Sequence, residues 1–417
     1  MHRHGRTLTR VGLTLAAAGL VLAWRTGAGA GPAEVTTVST SPQPSAGANG
    51  RVSAIAYIGG RIYLGGSFTS VGGQPRSGLA ALDATSGQLV ASWRADVTGA
   101  VQALAPSPDG GTLYVGGDFS AVGGAARRRL AAVSASTGEV GAWNPGASGG
   151  TVLALATEDG RVYVGGKFKA IGSVARPYLA AVDGAAAVLD WDAHADGGVW
   201  ALGLDPGAGT LYAGGAFHSI GGRAQRSLAA LRTSTGAATG WSPQVSCPGL
   251  GLAVTPDTVY LACGGDSANG DDSVHAYSAS GGAEQWHARS DGNIHAVAPL
   301  DGAVYAGGHF TTVDGVARKK AAAIEEASGQ VLDWDPHPDS ALGVFCMLAT
   351  GDWLWMGGDF TAVGGTAQPH IARFGRTAVA YGHGIRRILS TMSGPAGAAL
   401  HRLGSATPPF PTREAAP

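Results

Sequence analysis

The sequence predicts an all-β fold, a seven-bladed β-propeller whose four-stranded blades are about 50 residues long. The first observation is a Gly-Gly pair that recurs at intervals of 43 to 51 residues. The second is a Phe two residues beyond the pair in every repeat but the fifth, and the third is a Trp at the end of the first six repeats. The pairs begin at Gly65, Gly116, Gly165, Gly214, Gly264, Gly307 and Gly357, and the tryptophans are Trp93, Trp143, Trp191, Trp241, Trp286 and Trp334.

Each repeat divides into four short runs of strand-forming residues separated by turn residues. In the second repeat the runs begin at Val101, Thr112, Arg129 and Gly138, and the segments between them are rich in Gly, Ser, Asp and Pro. The glycine pair either lets a neighbouring backbone approach or lets the chain leave the sheet with unusual dihedrals. The Phe and the Trp are large apolar anchors for packing between adjacent blades.

Residues 1–30 are predicted to be a signal peptide. Arg3, Arg6 and Arg10 precede an apolar run over residues 11–24, which is shorter than the ~20 residues that a membrane span requires. Residues 28–30, Ala-Gly-Ala, provide a small-residue cleavage site. We therefore expect a secreted, extracellular protein without a transmembrane span once the signal is removed.

Residues 31–50 are predicted to be a linker that contains one strand over residues 35–40, and residues 51–374 form the propeller. The seventh repeat ends at Phe374 without a Trp strand, and unpaired sheet edges are avoided in stable folds. We expect the strand over residues 35–40 to pair near Ile371 and to close the ring. Residues 375–417 are predicted to be a flexible basic tail.

Charge and cysteine content limit the possible partners. Without the four basic residues of the signal, 24 basic residues face 29 acidic ones, so nucleic acid is excluded as a partner. Three cysteines leave one unpaired. Cys247 and Cys263 flank a predicted hairpin and are candidates for a disulfide, and Cys346 lies in an apolar run typical of a buried thiol.

One face of the ring is predicted to gather polar residues. Eight residues after the Phe stand Arg76, Arg127, Arg176 and Arg318, with Gln225 and Gln368 at the same place in two other repeats. The loops after the tryptophans join that face, and they contribute Asp96, Asn144, Asp192, His194, Asp196, Asp335, His337 and Asp339. Because the Arg recurs, we expect it to bind carboxylates or carbonyls between blades for structural reasons.

The candidate ligand face lies where the repeat is broken. Asp192, His194 and Asp196, and likewise Asp335, His337 and Asp339, form two Trp-Asp-x-His-x-Asp loops. Asp and His are metal ligands and acid-base residues, but the loops belong to the third and sixth repeats, nearly opposite across a ring. The loop with Asp266, Asn269, Asp271 and Asp272 is rich in oxygen ligands, so calcium is possible there, although the loop lacks the terminal Glu of an EF-hand and a solvated acidic turn is favoured.

The repeat, as in LYVGGDF followed by Gly-Gly, Arg, LAALDA and Trp-x-Pro, resembles the delta-60 repeat family of exported bacterial β-propellers. The resemblance covers residues 52–374, and the fifth repeat departs from it by lacking the Phe and the Arg. It implies a β-propeller, with no activity assigned. No nucleophile elbow, zinc-protease motif or Walker loop is present in the sequence.

The function expected from the sequence is that of a non-catalytic binding or structural module at or outside the cell surface. We predict a monomer without a cofactor or resident metal, whose partner is a protein or a glycan. Two alternatives remain open: a secreted hydrolase or lyase that uses Asp and His on the polar face, and a quinone-dependent oxidoreductase. The sequence assigns no catalytic residue.

Overall fold

The computed structural model describes residues 35–205, 207, 209–265 and 272–376, and in these ranges the chain forms 34 strands and no helix. It follows that no helix in these ranges is long and apolar enough to span a bilayer. The predicted signal peptide, Asp266, Asn269 and Asp271 of the possible calcium loop, and the tail beyond Arg376 lie outside the described residues.

The first four repeats contain twenty strands. In the first repeat they are β1 (Val52–Ile58), β2 (Arg61–Gly66), β3 (Ser70–Val71), β4 (Gln74–Pro75) and β5 (Leu79–Asp83). In the second repeat they are β6 (Val97–Pro106), β7 (Thr112–Val122), β8 (Ala125–Ala126) and β9 (Leu130–Ser134). In the third repeat they are β10 (Ala147–Ser148), β11 (Val152–Glu158), β12 (Arg161–Gly166), β13 (Ala170–Ile171), β14 (Val174–Ala175) and β15 (Leu179–Asp183). In the fourth repeat they are β16 (Val199–Asp205), β17 (Thr210–Gly215), β18 (Ser219–Ile220), β19 (Arg223–Ala224) and β20 (Leu228–Arg232).

The last three repeats contain the other fourteen strands. In the fifth repeat they are β21 (Gly249–Val254), β22 (Thr258–Cys263), β23 (Ser273–Ser278) and β24 (Glu284–Arg289). In the sixth repeat they are β25 (Ile294–Leu300), β26 (Ala303–Gly308), β27 (Thr312–Val313), β28 (Val316–Ala317) and β29 (Ala321–Glu325). In the seventh repeat they are β30 (Val344–Thr350), β31 (Trp353–Gly358), β32 (Ala362–Val363), β33 (Thr366–Ala367) and β34 (Ile371–Gly375).

Each repeat forms one antiparallel sheet in which the long strands pair in chain order, as in β1-β2-β5. The four-stranded blade of the prediction is regular only in the fifth repeat, β21-β22-β23-β24. In five other repeats the fourth segment makes a single bridge, such as Leu82 with Leu89. Pro145, Pro243 and Pro336 follow the Trp in three of these repeats and cannot donate a ladder hydrogen bond, whereas Trp286 is followed by His-Ala-Arg and its strand continues.

The sheets are arranged side by side in chain order. The first strand of each sheet lies against the first strand of the next, from β1 and β6 through to β25 and β30, and β30 in turn lies against β1. The sheets stay separate, and within the described residues none closes on itself. The fold is all-β and propeller-like.

Residues 38–48 run along the edge of the last sheet. Val38 bridges Arg376, Gln43 bridges Arg373, and Ala48 bridges Val71 of the first repeat. The strand predicted over residues 35–40 is therefore an extended segment with isolated bridges. Pro42 and Pro44 lack the amide protons that a continuous ladder would need.

Close approach of neighbouring atoms explains the glycine pair. A Cβ on Gly65 would lie 2.5 Å from Cγ1 of Val101 in the next sheet, and one on Gly66 would lie 2.0 Å from the Arg51 carbonyl oxygen in its own sheet. Both distances are too short for a real side chain. Neither glycine has a positive φ, so unusual dihedrals are not the reason.

The fifth repeat changes the register that the sequence suggests. Ala262 and Cys263, not Gly264 and Gly265, occupy the positions of the glycine pair, since Ala262 lies opposite Gly251 and Cys263 opposite Gly249. A Cβ on Gly251 would lie 2.5 Å from the His295 carbonyl oxygen. The glycines have therefore moved to the facing strand, where they provide the same clearance.

The tryptophans connect successive sheets. The indole Nε1 of Trp93 donates to the Ser134 carbonyl at 3.1 Å, and that of Trp143 donates to the Asp183 carbonyl at 2.8 Å. Trp334, the last of the six, donates to the carbonyl of Ser39 at 3.1 Å. Each Trp thus docks on the segment that follows it in the arrangement, and residues near Ser39 provide that acceptor for the seventh sheet.

Candidate functional site

The repeats share one backbone and differ in their side chains at one end of the sheets. At this end the first strand of each sheet begins and the glycine pair ends the second strand. We call this the Gly-Gly end. Two positions there vary between repeats, while the backbone register around them stays the same. The residues after the glycine pair are Ser67, Asp118, Lys167, Ala216, Gly264, His309 and Asp359. On the first strands, the residues that follow the position opposite the second glycine, or opposite Cys263 in the fifth repeat, are Ser53, Gln102, Leu153, Trp200, Leu250, His295 and Phe345.

The sixth, seventh and first repeats contribute the mouth cluster, Arg51, His295, Phe345, Asp359 and His370. The rings of His295 and Phe345 are stacked with centroids 4.9 Å apart, and the Arg51 guanidinium lies 4.3 Å from the Phe345 centroid. Nη2 of Arg51 lies 3.2 Å from Oδ2 of Asp359, whose other oxygen is 3.7 Å from Nδ1 of His370. Three repeats that are otherwise alike therefore share one polar-aromatic cluster.

The pKa of His295 is unusual within this cluster. Burial, with the nearby charges of His309 and Arg51, lowers the pKa of His295 to about 4. The ring is consequently neutral at physiological pH. A neutral imidazole on a phenyl ring provides a flat contact surface, while the Arg51 guanidinium provides charge beside it.

Lys320 and Lys167 are cations of the Gly-Gly end that form no salt bridge within the described residues, although the charge of Asp291 acts favourably on Lys320. Lys320 is 7% exposed, and its ammonium makes no hydrogen bond or ion pair within the described residues. Burial and the adjacent Lys319 lower the pKa of Lys320. Its φ is 64°, a left-handed value at a position that Gly78 occupies in the first repeat. Arg129, Tyr178, Ser227 and His370 have similar φ values at this position, so the conformation belongs to the repeat and Lys320 adds a cation to it.

Lys167 is exposed and lies 5.6 Å from the Trp200 ring centroid. The carboxylates at corresponding positions are already paired, Asp118 with Arg129 at 2.9 Å and Asp359 with Arg51. The Gly-Gly end therefore carries two lysines without a salt bridge among the described residues, although the whole chain is slightly acidic.

The recurring Arg binds carbonyls and carboxylates, as predicted, but those of its own repeat rather than of a neighbouring blade. Nη2 of Arg76 donates to the Ala91 carbonyl at 2.7 Å, and Nη2 of Arg318 donates to the Leu332 carbonyl at 2.8 Å. Both carbonyls belong to the same repeat as the Arg, so the bond joins segments within a repeat and not between blades. The geometry explains this, because the segment before each Trp passes directly beside the Arg. Arg127 likewise donates to the Gly141 carbonyl, and Gln225 donates to the Trp241 carbonyl. Arg176 instead lies within 3.5 Å of the Asp190 and Asp192 carboxylates.

The residues of the predicted ligand face fall into two groups. Asp196 and Asp339 hold turns by accepting backbone amides, and Asp192 and Asp335 each lie beside one His. Oδ1 of Asp196 accepts the amides of His218 and Ser219, and Oδ1 of Asp339 accepts those of Thr361 and Ala362. These carboxylates, which follow the Trp of one repeat, hold the turn after the Phe of the next repeat, and Asn49 does the same for the first repeat.

His194 and His337 are exposed and have only a local partner. Nδ1 of His194 lies 3.4 Å from Asp192, and Nε2 of His337 lies 2.9 Å from Asp335. Among the described residues, neither pair joins a group of three or more clustered metal-ligand side chains. The two loops therefore form no joint site here.

Asn144 lines a groove of about 550 Å³ at the Gly-Gly end, together with Arg127, Arg128 and Arg129. Asp96 accepts the Ser77 amide and belongs to the scaffold. Asp272, the described member of the possible calcium loop, is buried.

The cysteines occupy two different environments. Cys247 and Cys263 form a disulfide with a Cα–Cα distance of 5.7 Å. Cys346 is free, and its Sγ lies 3.7 Å from the Val52 carbonyl oxygen. Burial raises the pKa of the Cys346 thiol, which suits an unreactive side chain.

Sequence reasoning missed the mouth cluster. Its members are spread from Arg51 to His370, and none belongs to a motif. The available signal was an alignment of the repeats column by column, in which His295 and Phe345 replace Ser, Gln or Leu at one position.

The comparisons with known proteins agree with the fold. A family model described as a domain of unknown function (DUF5122) beta-propeller matches residues 60–89. The WD40 beta propeller domain of Doa1 is 10% identical, with a TM-score of 0.54 over 82% of this chain and 97% of that chain. The beta-propeller domain of Cps50 (Swd1) from Myceliophteria thermophila is 11% identical, with a TM-score of 0.52 over 80% of this chain and 99% of that one. No curated protein matches the sequence.

Proposed function

We propose that the protein is a secreted, non-catalytic binding module, a closed seven-bladed β-propeller of the delta-60 repeat type that captures an acidic segment of a partner protein at its Gly-Gly end. A β-propeller fold in general supports a binding or structural role. Seven blades are supported by seven sheets in sequence, and closure by the contact of β30 with β1 and by the bridges of Val38 and Gln43 to the last strand. The disulfide supports an oxidising compartment.

The observation that carries this proposal is the pair of Lys167 and Lys320, cations of the Gly-Gly end that form no salt bridge within the described residues. Burial lowers the pKa of Lys320, and a carboxylate ligand beside it would favour its charged form. Lys167, Arg128 and the mouth cluster extend the same positive, partly aromatic surface. Charged and polar groups complementary to a partner raise both specificity and the association rate.

The proposal is tested with an array of Asp- and Glu-rich peptides probed with the full chain, followed by fluorescence anisotropy on the tightest peptide. We expect Lys320→Met and Lys167→Met each to weaken binding about tenfold or more, which corresponds to ~1.4 kcal/mol. We expect binding to weaken with added salt.

Arg232→Met is the matched control, since Arg232 is an exposed cation at the other end of its sheet, where β20 ends. It should leave the affinity unchanged. Equal binding of an uncharged Asn- and Gln-rich peptide, or equal loss in Arg232→Met, would contradict the proposal. Lys320→Met should fold at least as well as the wild type, because it removes a desolvated charge.

A further inference from the structure

The fifth sheet carries a histidine cluster that no other repeat has. His275 on β23 lies directly opposite His287 on the edge strand β24, and Glu284 precedes His287 on the same strand. Oε1 of Glu284 lies 2.8 Å from Nδ1 of His275 and 2.9 Å from Nδ1 of His287. The three ligand atoms lie within 4.8 Å of one another.

From this cluster we infer a zinc site formed by Nδ1 of His275, Nδ1 of His287 and a carboxylate oxygen of Glu284. Two imidazoles and one carboxylate with an open fourth position are a ligand set that Zn²⁺ takes in proteins, with bonds of about 2.0–2.2 Å. A tetrahedral ion with such bonds separates its ligand atoms by about 3.3 Å. The two Nδ1–Oε1 distances, 2.8 and 2.9 Å, are slightly shorter. The Glu284 side chain therefore has to withdraw by roughly half an ångström.

The side chains can make that adjustment. The side chains of Glu284 and His287 are 39% and 43% exposed, so both can rotate and leave the fourth position to water. The His275 side chain is only 12% exposed and is held in place. The site therefore has one fixed ligand and two adaptable ones.

Groups around His275 set its orientation. Oγ of Ser273 lies 2.7 Å from Nε2 and can accept a hydrogen bond from Nε2–H, the tautomer in which the Nδ1 lone pair is directed at the cluster. The His275 ring also stacks on Tyr277 at 5.6 Å with an interplanar angle of 11°. Partners that fix the second ring nitrogen accompany most histidine metal ligands.

The cysteines beside the cluster do not supply a ligand. Sγ of Cys247 lies 4.0 Å from Nε2 of His275, but Cys247 and Cys263 are joined in a disulfide. The ligand set is thus two histidines and Glu284, on the outer strands β23 and β24 of the fifth sheet.

The experiment titrates the tag-free, EDTA-treated full chain with ZnCl₂ by isothermal calorimetry. We expect one zinc equivalent, and His287→Gln and Glu284→Gln should weaken binding about tenfold or more. His287 is exposed, so its variant tests the site without disturbing the core. Co²⁺ in place of zinc should give the visible absorption of a tetrahedral nitrogen-oxygen site, which His287→Gln abolishes.

His194→Gln is the matched control, because His194 is an exposed histidine paired with a single carboxylate. It should bind zinc as the wild type does. Absence of zinc uptake by the wild type, or unchanged uptake in both His275→Gln and His287→Gln, would overturn the inference. The acidic-peptide affinity at the other site is independent of this result.

Discussion

His295 illustrates how one substitution in a repeat changes chemistry without changing the backbone. The first strands of the other sheets place Ser53, Gln102 or Leu153 at the same position, and the backbone register around them is the same. Because burial and the charges of His309 and Arg51 oppose protonation, the folded protein keeps the His295 ring neutral where an unfolded chain would protonate it.

This difference predicts a pH dependence of stability. The folded pKa of His295, about 4, lies below the ordinary value of 6.5, so between these values the unfolded chain binds more protons. The His295 contribution is complete above pH 6.5 and is lost as the pH falls towards 4. Urea unfolding at pH 6.5 and at pH 4 should show the wild type losing about 1–3 kcal/mol more than His295→Gln.

Carboxylate titrations affect both proteins alike, so the difference between them isolates His295. An identical loss in the two proteins would mean that His295 is protonated in the folded state at pH 5. In that case the stacked, neutral ring would be the wrong description of the mouth cluster.

Arg373 on β34 shows how a single side chain can replace a missing element. The seventh repeat lacks the Trp that ends the other six repeats and docks on the next sheet. Arg373 makes the contact with the first sheet instead. Nη2 donates to the Ser86 carbonyl at 2.9 Å and Nε to the Pro44 carbonyl at 3.0 Å, while the guanidinium lies 4.3 Å from the Trp353 ring centroid. The residue is 5% exposed.

We expect Arg373→Met to lower the free energy of unfolding by about 2–4 kcal/mol, because several charge-assisted hydrogen bonds are lost in a buried setting. Arg376→Met is the control, since its guanidinium is half exposed and pairs with Asp301 and Asp352. It should cost less than about 1 kcal/mol. Tryptophan fluorescence in urea measures both, and equal effects would remove Arg373 from the closing contact.

The elements of the repeat were largely predictable, and their exceptions were not. The strand runs and the Trp and Phe anchors follow from hydrophobic spacing, and the sheets agree with them. In the fifth repeat the glycines that allow close packing are Gly249 and Gly251 on the first strand. The sequence did not predict this, because Gly264 and Gly265 match the glycine pair equally well. The His275–His287 pairing was hidden for a similar reason, since it depends on an irregularity between Ala276 and Tyr277.

At the scale of the whole molecule, the structure separates scaffold from surface. The glycine pair, the Phe, the Trp and the recurring Arg all contact the repeat itself or its neighbour. Asp196 and Asp339, predicted to face a ligand, are also used for the turns. The residues available for recognition are those that differ between repeats. They come together only because the first and last repeats are adjacent. The sequence alone could not group them.

The central claim is that ligand recognition occurs at the Gly-Gly end, over the sixth, seventh and first repeats. Amide hydrogen exchange of the full chain with and without the tightest acidic peptide tests it directly. We predict increased protection at the starts of β1, β25 and β30 and around Lys320, with no change at the β1–β2 and β25–β26 turns at the other end. Protection confined to those turns, or to the fifth sheet, would contradict the account.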